Sequence, residues 1–376
     1  MAVTRARPDP EVGALDTSVY RVPTDRPEAD GTLAWSATTV VVARAHAGGV
    51  TGTGWTYASP ACAVVIEDQL VRVVTGSDPM DVVGTHEAMV RACRNLGRPG
   101  VVACGVSAVD VALWDLKARL LGLALPELLG RSRGAVPVYG SGGFTTYDDA
   151  TTTAQLERWV GELGIPRVKI KVGESWGSDQ HRDLARTALA RRVVGVETEL
   201  FVDANGGYTR KQAIRVGRRM SEDHSVTWFE EPVSSDDLDG LRMVRDRLDV
   251  DVAAGEYGYD EPYFRRMLAA GSVDCLQADV TRCGGYTSWL RVAALAYAAG
   301  IRISGHCAPH LHLPVALHVP NLAHVEYFHD HARLDPMLFD GLPPLAGGLL
   351  RQAPGAGALG HGMALRQADA DRFRVG

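Results

Sequence analysis

Asp203 closes the apolar run LFVD, Glu230 closes VTWFE and Glu256 closes DVAAGE. The three stand 27 and 26 residues apart, about the length that one strand, one loop and one helix occupy. Strands of such a repeat run parallel and end side by side, so each would offer a carboxylate at the same edge. Carboxylates brought together repel unless a cation neutralises them, and an all-oxygen set suits a hard divalent ion such as Mg²⁺. Glu231, beside Glu230, is a second candidate for the middle ligand. Other polar pairs stand two apart, hence on one face of a strand. They are Lys169 and Lys171 in VKIKV, Asp203 and Asn205, Ser304 and His306, and His324 and Glu326. Asp279 ends a further run, VDCLQAD.

The elements that must position these groups recur regularly. From Val136 onward come eight apolar runs: VPVYGSG, RVKIKVG, LFVDAN, VTWFEEP, DVAAGE, VDCLQAD, IRISGH and HVEYF. Helical segments such as SDQHRDLARTALARRV and SWLRVAALAYAAG separate them. Eight βα-type repeats over about 190 residues predict an α/β barrel. An open doubly wound sheet is the alternative. It gathers its site near one switch point, whereas here polar residues end seven runs spread over the whole series. In a barrel the inward residues at the C-terminal strand ends meet at one mouth. Lys169, Lys171, Asp203, Glu230, Glu256, Asp279, His306 and Glu326 would converge there.

Upstream, ATTVVVARA and TGTGWTY read as hairpin strands joined through Ala47-Gly48-Gly49, after a short strand and long loop in TSVYRVPTDRPEADGTLAW. CAVVIEDQLVRVV, HEAMVRACRNLG and CGVSAVDVALWDLKARLLGL read as helices. The expected organisation is a disordered lead-in over 1–15 and an α+β domain over 16–133. The barrel follows over 134–330, then a C-terminal segment over 331–376 that runs back onto the first domain.

The chain has 376 residues, 46 % hydrophobic and 22 % charged, enough for a large core and the composition of an ordinary globular protein. A net charge of −6 without any basic stretch gives no footprint for nucleic acid or an anionic membrane. No run approaches the roughly 20 apolar residues of a membrane span, and MAVTRARPDPEVG lacks a signal-peptide core, so a cytoplasmic location is expected. Six cysteines without a CxxC pair read as reduced core thiols. Gly52-Thr53-Gly54 lacks the third glycine and the following helix of a dinucleotide loop. Seven of the twelve histidines fall between His306 and His331. A zinc site through His310 and His312 is the sharp alternative for that cluster. The oxygen trio already supplies a hard-metal site, however, and the HxH pair falls after the seventh strand. Most of these histidines are expected on helix and loop surface, with one or two reaching a substrate.

Taken in order, VKIKVG, VDAN, FEEP, AGE, QADVTRCGG, ISGH and HVEYF resemble the enolase superfamily and, within it, the mandelate racemase subgroup. AVDVALWDLKARLLGLALPELLG resembles the helix that closes that family's capping domain, and Pro232 after the acidic pair fits Glu230 as the ligand. The resemblance implies a modified TIM barrel, (β/α)7β, with an N-terminal α+β capping domain. It implies one Mg²⁺ per subunit on Asp203, Glu230 and Glu256, in a chain expected to form homo-oligomers. It also implies removal of a proton α to a carboxylate, giving an enediolate, a design for which the superfamily is a known example.

The residues suit that work. Lys171 would be the base on one face, its pKa lowered by Lys169 and the cation. Lys169 would bind the substrate carboxylate. On the other face stands His306, oriented by Asp279, which favours the imidazolium. Glu326, if protonated, would hydrogen-bond the second carboxylate oxygen. The subgroup resembles acid-sugar dehydratases most, which ranks β-elimination of water first. Racemisation or epimerisation of a hydroxy or sugar acid comes second, and a metal-binding relative without turnover is the alternative of another class. Gly305, Tyr257 and Tyr327-Phe328 depart from mandelate racemase itself. Substrate contacts are expected from Asn205, which could otherwise only cap a loop, and from Tyr139, Tyr20 and Trp55. The two capping loops, Tyr20 to Trp35 and Gly52 to Tyr57, should set specificity.

Overall fold

A computed structural model describes residues 10–352 and 358–376. The first unit is a three-stranded antiparallel sheet of β1 (Ala14–Ala29), β2 (Ala34–Ala47) and β3 (Val50–Tyr57). Gly48 and Gly49 both hold positive φ, which closes the β2–β3 hairpin with a twist matching its strands. Helices follow, the longest being Val101–Leu120. It packs on β3 so closely that a Cβ on Gly54 would stand 2.2 Å from the Ala108 carbonyl. The glycines of Gly52-Thr53-Gly54 therefore serve helix packing.

Two features of this region differ from the sequence-based expectation. The lead-in does not extend to residue 15. Val12 is fully buried and its N–H donates to the Ser77 carbonyl, and β1 begins at Ala14. Residues 1–9 of that expected lead-in lie outside the described residues. The expected long loop is mostly strand as well. β1 pairs with β2 as far as Pro23, shifts register, and pairs again at Glu28 with Trp35 and Ala29 with Ala34. Backbone pairing with β2 overrides the turn-forming composition there.

The second unit is a closed barrel of eight parallel strands. They are β4 (Val136–Gly142), β5 (Arg167–Lys171), β6 (Glu199–Asp203), β7 (Val226–Glu230), β8 (Asp251–Ala254), β9 (Cys275–Ala278), β10 (Arg302–Gly305) and β11 (Leu322–Phe328), with β11 pairing back onto β4. Both faces of these strands are covered, as in parallel sheets generally. Val168, Ile170, Val202, Phe229, Val252 and Val325 face the surrounding helices, while Tyr139, Phe201 and Trp228 fill the barrel interior. The helices are bounded by conventional signals: Thr209 and Gln212 form a capping box before Arg210–His224, and Asp260 caps Glu261–Ala270.

β11 is followed by a helix, His329–Leu338. Beyond it, Leu349–Leu350 pairs with the start of β4, and Val375 at the chain end donates to the Val19 carbonyl of β1. The capping unit is pinned over the barrel by polar contacts. The Thr56 hydroxyl donates to the Thr281 carbonyl at 2.7 Å, the Tyr57 hydroxyl to Asp335 Oδ1 at 2.5 Å, and the Thr287 N–H to buried Asp110 at 2.9 Å.

Candidate active site

Strand register builds the mouth. Lys171 of β5 pairs with Asp203 of β6, and Asp203 pairs with Glu230 of β7, so the three lie in one row at the strand ends. Glu256 follows β8 by two residues and completes the trio. One carboxylate oxygen from each of Asp203, Glu230 and Glu256 lies within 4.8 Å of the others. Glu231 does not join them: it holds φ 36°, is buried, and lines a neighbouring cavity. Asn205 (φ 44°), Cys307 (φ 49°) and Ala308 (φ 40°) share this left-handed backbone just past their strands. Strain of that kind clusters at functional sites.

All eight groups expected at the mouth are buried and brought together. Lys169 Nζ contacts Glu230 and lies 2.8 Å from Glu326 Oε1 and 3.3 Å from Asp203 Oδ2. Lys171 Nζ donates to Asp203 Oδ2 at 2.5 Å. On the opposite side, His306 Nδ1 bonds Asp279 Oδ2 at 2.8 Å, and Thr281 donates twice to the other Asp279 oxygen at 2.7 Å. That pairing leaves His306 Nε2 towards the cavity. A cavity of ≈ 330 Å³ lies between, lined by Lys171, Asn205, Glu256, His306 and Glu326 from the barrel, with Trp35, Thr38 and Tyr57 from the cap. A larger cavity of ≈ 540 Å³ shares Asn205 and Tyr257 with it but holds neither lysine nor His306.

The charges set the protonation pattern. Burial opposes the imidazolium of His306, but the neighbouring Cys307 sulfur, Glu256, Glu326 and Asp279 outweigh it and hold the ring well above the usual histidine range. Burial also opposes the charged Lys171, yet Asp203 pushes its pKa up. Asp203 at contact distance thus outweighs the neighbouring lysine, and the expected fall rests on the charge of the cation as well. Glu326 is held well below the carboxylate range by Lys169 and His306 despite burial, so it is ionised rather than the expected protonated donor. It accepts from the Cys307 N–H at 2.8 Å. Burial and Asp203 push Glu230 up to about 8.

The rise of Glu230 reflects burial and repulsion within the trio, which a divalent cation would relieve; Glu231, outside the trio, is likewise pushed well above the carboxylate range by burial and Glu256. Glu256 Oε2, Glu231 Oε1 and Asn205 Oδ1 are buried without a hydrogen-bond partner. An all-oxygen donor set of mutually repelling carboxyls with unsatisfied oxygens beside it fits Mg²⁺.

The expected substrate contacts fare unevenly. Asn205 reaches the cavity, and its N–H also donates to Asp203 Oδ1 at 2.9 Å. Tyr139 does not reach it. Its ring lies inside the barrel with Lys169 Nζ 5.3 Å above the centroid, because Tyr139 sits three residues before the end of β4, at the level where β5 begins. Tyr20 is fully buried against the C-terminal segment, its hydroxyl accepting from Gln367 Nε2 at 3.3 Å. Trp55 stacks on Phe339 at 4.0 Å and is also fully buried. Both side chains are taken up in packing, while Tyr57, two residues on from Trp55 and on the same face of β3, accepts from the Trp55 indole N–H at 3.0 Å and reaches the cavity.

The histidines also differ from expectation. Five of the seven (His306, His310, His312, His324 and His331) are buried. His310 bonds Asp335 at 2.6 Å and His312 bonds backbone carbonyls, so no HxH zinc site forms. Arg282 lies outside the expected set, although its place three residues after Asp279 was a signal. It contacts both Glu256 (3.4 Å) and Asp279 (3.5 Å), joining the two walls.

Comparison with known proteins agrees with this architecture. The family described as mandelate racemase/muconate lactonizing enzyme, N-terminal domain, matches residues 16–130, and that described as enolase C-terminal domain-like matches residues 151–367. L-talarate/galactarate dehydratase of Salmonella typhimurium is 32 % identical over 74 % of this chain and 70 % of its own. A mandelate racemase/muconate lactonizing enzyme-like protein from Rubrobacter xylanophilus superposes with a TM-score of 0.93 at 46 % identity, covering 97 % of this chain and 100 % of its own. A racemase from Streptomyces coelicolor with bound magnesium superposes at 0.90 with 28 % identity over 97 % of this chain and 100 % of its own. Other relatives include a D-galactarolactone cycloisomerase, an arabinonate dehydratase and a hydrophobic dipeptide epimerase. Among the described residues no helix is long and apolar enough to cross a membrane. With both halves matched and the barrel closed, the chain belongs to the mandelate racemase/muconate lactonizing enzyme family of the enolase superfamily.

Proposed function

We propose that this chain is an enolising lyase that removes the proton α to the carboxylate of a sugar acid and then expels a β-hydroxyl as water. The carrying observation is one cavity lined on one wall by Lys171 and on the other by His306, with Asp279 fixing the ring. A binding protein has no use for a proton-transfer group on each wall. Asp203, Glu230 and Glu256 would hold one Mg²⁺, which supplies positive charge to offset the negative charge developing on the substrate carboxylate.

The chain's own residues supply the rest. Lys171 takes the α-proton on its Nζ; for that it must enter the step neutral, so Asp203 must direct its charge away from it when the site is loaded. Lys169, fully buried against Glu230 and Glu326, binds the carboxylate as a cation once substrate enters. His306 enters as the imidazolium that its neighbours favour, and its Nε2 gives a proton to the departing hydroxyl. Glu326, ionised, keeps His306 charged and holds the Cys307 backbone in place.

Opposed groups also suit inversion at the α carbon, which makes epimerisation the second reading. Several relatives are dehydratases of sugar acids, and this ranks elimination first. Incubation with galactarate, L-talarate and a set of aldonates, followed by chromatographic and mass analysis, decides between them. A product 18 mass units lighter supports elimination. Isomers without any mass change would leave epimerisation in its place.

A further inference from the structure

A second donor set stands beside the oxygen trio, and its chemistry is different. His306 Nε2, Cys307 Sγ and a Glu326 oxygen converge within 4.8 Å, all three buried and all lining the cavity. Cys307 Sγ lies 3.4 Å from His306 Nε2, and Glu326 Oε2 lies 3.6 Å from the same nitrogen. A tetrahedral zinc with bonds of about 2.05 Å to nitrogen, about 2.3 Å to sulfur and about 2.1 Å to oxygen spaces N···S about 3.6 Å and N···O about 3.4 Å apart. The observed edges match to about 0.2 Å, the usual tolerance for a metal site. Glu326 Oε2 already accepts from the Cys307 N–H, but a carboxylate oxygen keeps a second lone pair for a metal.

We propose that His306, Cys307 and Glu326, with water in the fourth position, form a binding site for a thiophilic divalent cation such as Zn²⁺ or Cd²⁺. The N, S, O set is softer than the oxygen trio, so the two sites sort cations by hardness. On binding, a metal–sulfur bond forms and the thiol proton leaves to solvent; nothing is oxidised or reduced. The metal also takes the Nε2 lone pair of His306, so the bound form cannot move a proton on that wall. Reversible inhibition is the consequence, and only that consequence rests on the enolisation reading.

Titration of the whole protein with Cd²⁺, in the presence of Mg²⁺, tests the site directly. A thiolate-to-cadmium charge-transfer absorption saturating at one ion per chain is expected. Cys307→Ser should abolish it and weaken Cd²⁺ binding at least about tenfold, while Cys275→Ser keeps it. On the unaltered protein, Zn²⁺ should slow alkylation of Cys307 at least about tenfold by peptide mass mapping, without protecting Cys275. Absence of the absorption in the unaltered protein, its survival in Cys307→Ser, or unprotected alkylation of Cys307 would each overturn the proposal. Because these readouts need no turnover, failure of the enolisation reading leaves them interpretable.

Discussion

The barrel rim and the capping unit contribute to the same cavity under different rules. At the rim, hydrogen-bonded register places Lys171, Asp203 and Glu230 in one row, and each side chain has one direction in which to point. In the cap, Trp55 and Tyr57 share one face of β3, yet Trp55 is fully buried against Phe339 while Tyr57 reaches the cavity, so packing partners and not alternation decide which residue lines it. The rim is therefore a fixed charge array and the cap a replaceable wall. Chemistry should collapse when the rim is altered and shift only in preference when the cap is.

The largest effects should come from the two proton-transfer walls. Lys171→Ala and His306→Asn should each lower turnover by about 10²–10⁴-fold. If both groups act as bases, each variant should lose α-proton exchange for one stereoisomer of the substrate only. Equal loss for both isomers in a stereoisomer-resolved NMR assay would break the two-wall assignment.

Next comes Lys169, which sits among Asp203, Glu230 and Glu326 at full burial. Removing one member of such a network leaves uncompensated buried charge, so Lys169→Met should cost about 3–5 kcal/mol of stability by denaturant unfolding. Added Mg²⁺ should raise the melting temperature of this variant more than that of the parent, since the cation replaces the lost charge. An equal rise in both would argue against Lys169 and the cation offsetting the same carboxylates.

A pH effect of intermediate size lies under the rim. Burial lowers His324 and His331 to about 3, against a histidine value of about 6.5 when unfolded. Between those values the unfolded chain binds the protons that the folded chain refuses, so stability falls as pH drops below about 6.5. By pH 4 one such ring removes about 3 kcal/mol. His324→Gln should flatten the acid limb of the stability profile; an unchanged slope would place the acid lability elsewhere.

The smallest effects belong to the cap. Tyr57→Phe removes the bond to Asp335 and should cost about 1–2 kcal/mol, with a KM change of a few fold. Tyr20→Phe loses only a 3.3 Å contact to Gln367 and should cost below about 1 kcal/mol with unchanged KM. A larger KM effect from Tyr20 than from Tyr57 would invert the comparison.

The same contrast explains what was legible in the sequence. Evenly spaced carboxylates at strand ends, the VKIKV pair and the IRISGH and HVEYF runs identify the rim, because period-two alternation and parallel repeats convert directly into position. Protonation was less legible. The rise of Lys171 and the ionised state of Glu326 depend on contacts between strands 32 or more residues apart in the chain. The buried histidines were misread because polar residues usually lie outside; Asp335, Ser304 and backbone carbonyls supply partners that sequence order does not reveal. The register shift after Pro23 and the inward turn of Tyr20 are likewise decided by pairing across β1 and β2.

The central claim is that the rim enolises a carboxylate with the help of a divalent cation on Asp203, Glu230 and Glu256. Deuterium exchange at the α carbon, followed by NMR in D₂O with a library of sugar acids, reads that step directly whatever its product. Exchange that requires Mg²⁺, stops with EDTA and is lost in Asp203→Asn is the predicted result. Acids shown to bind, none of which exchanges in the presence of Mg²⁺, would contradict it.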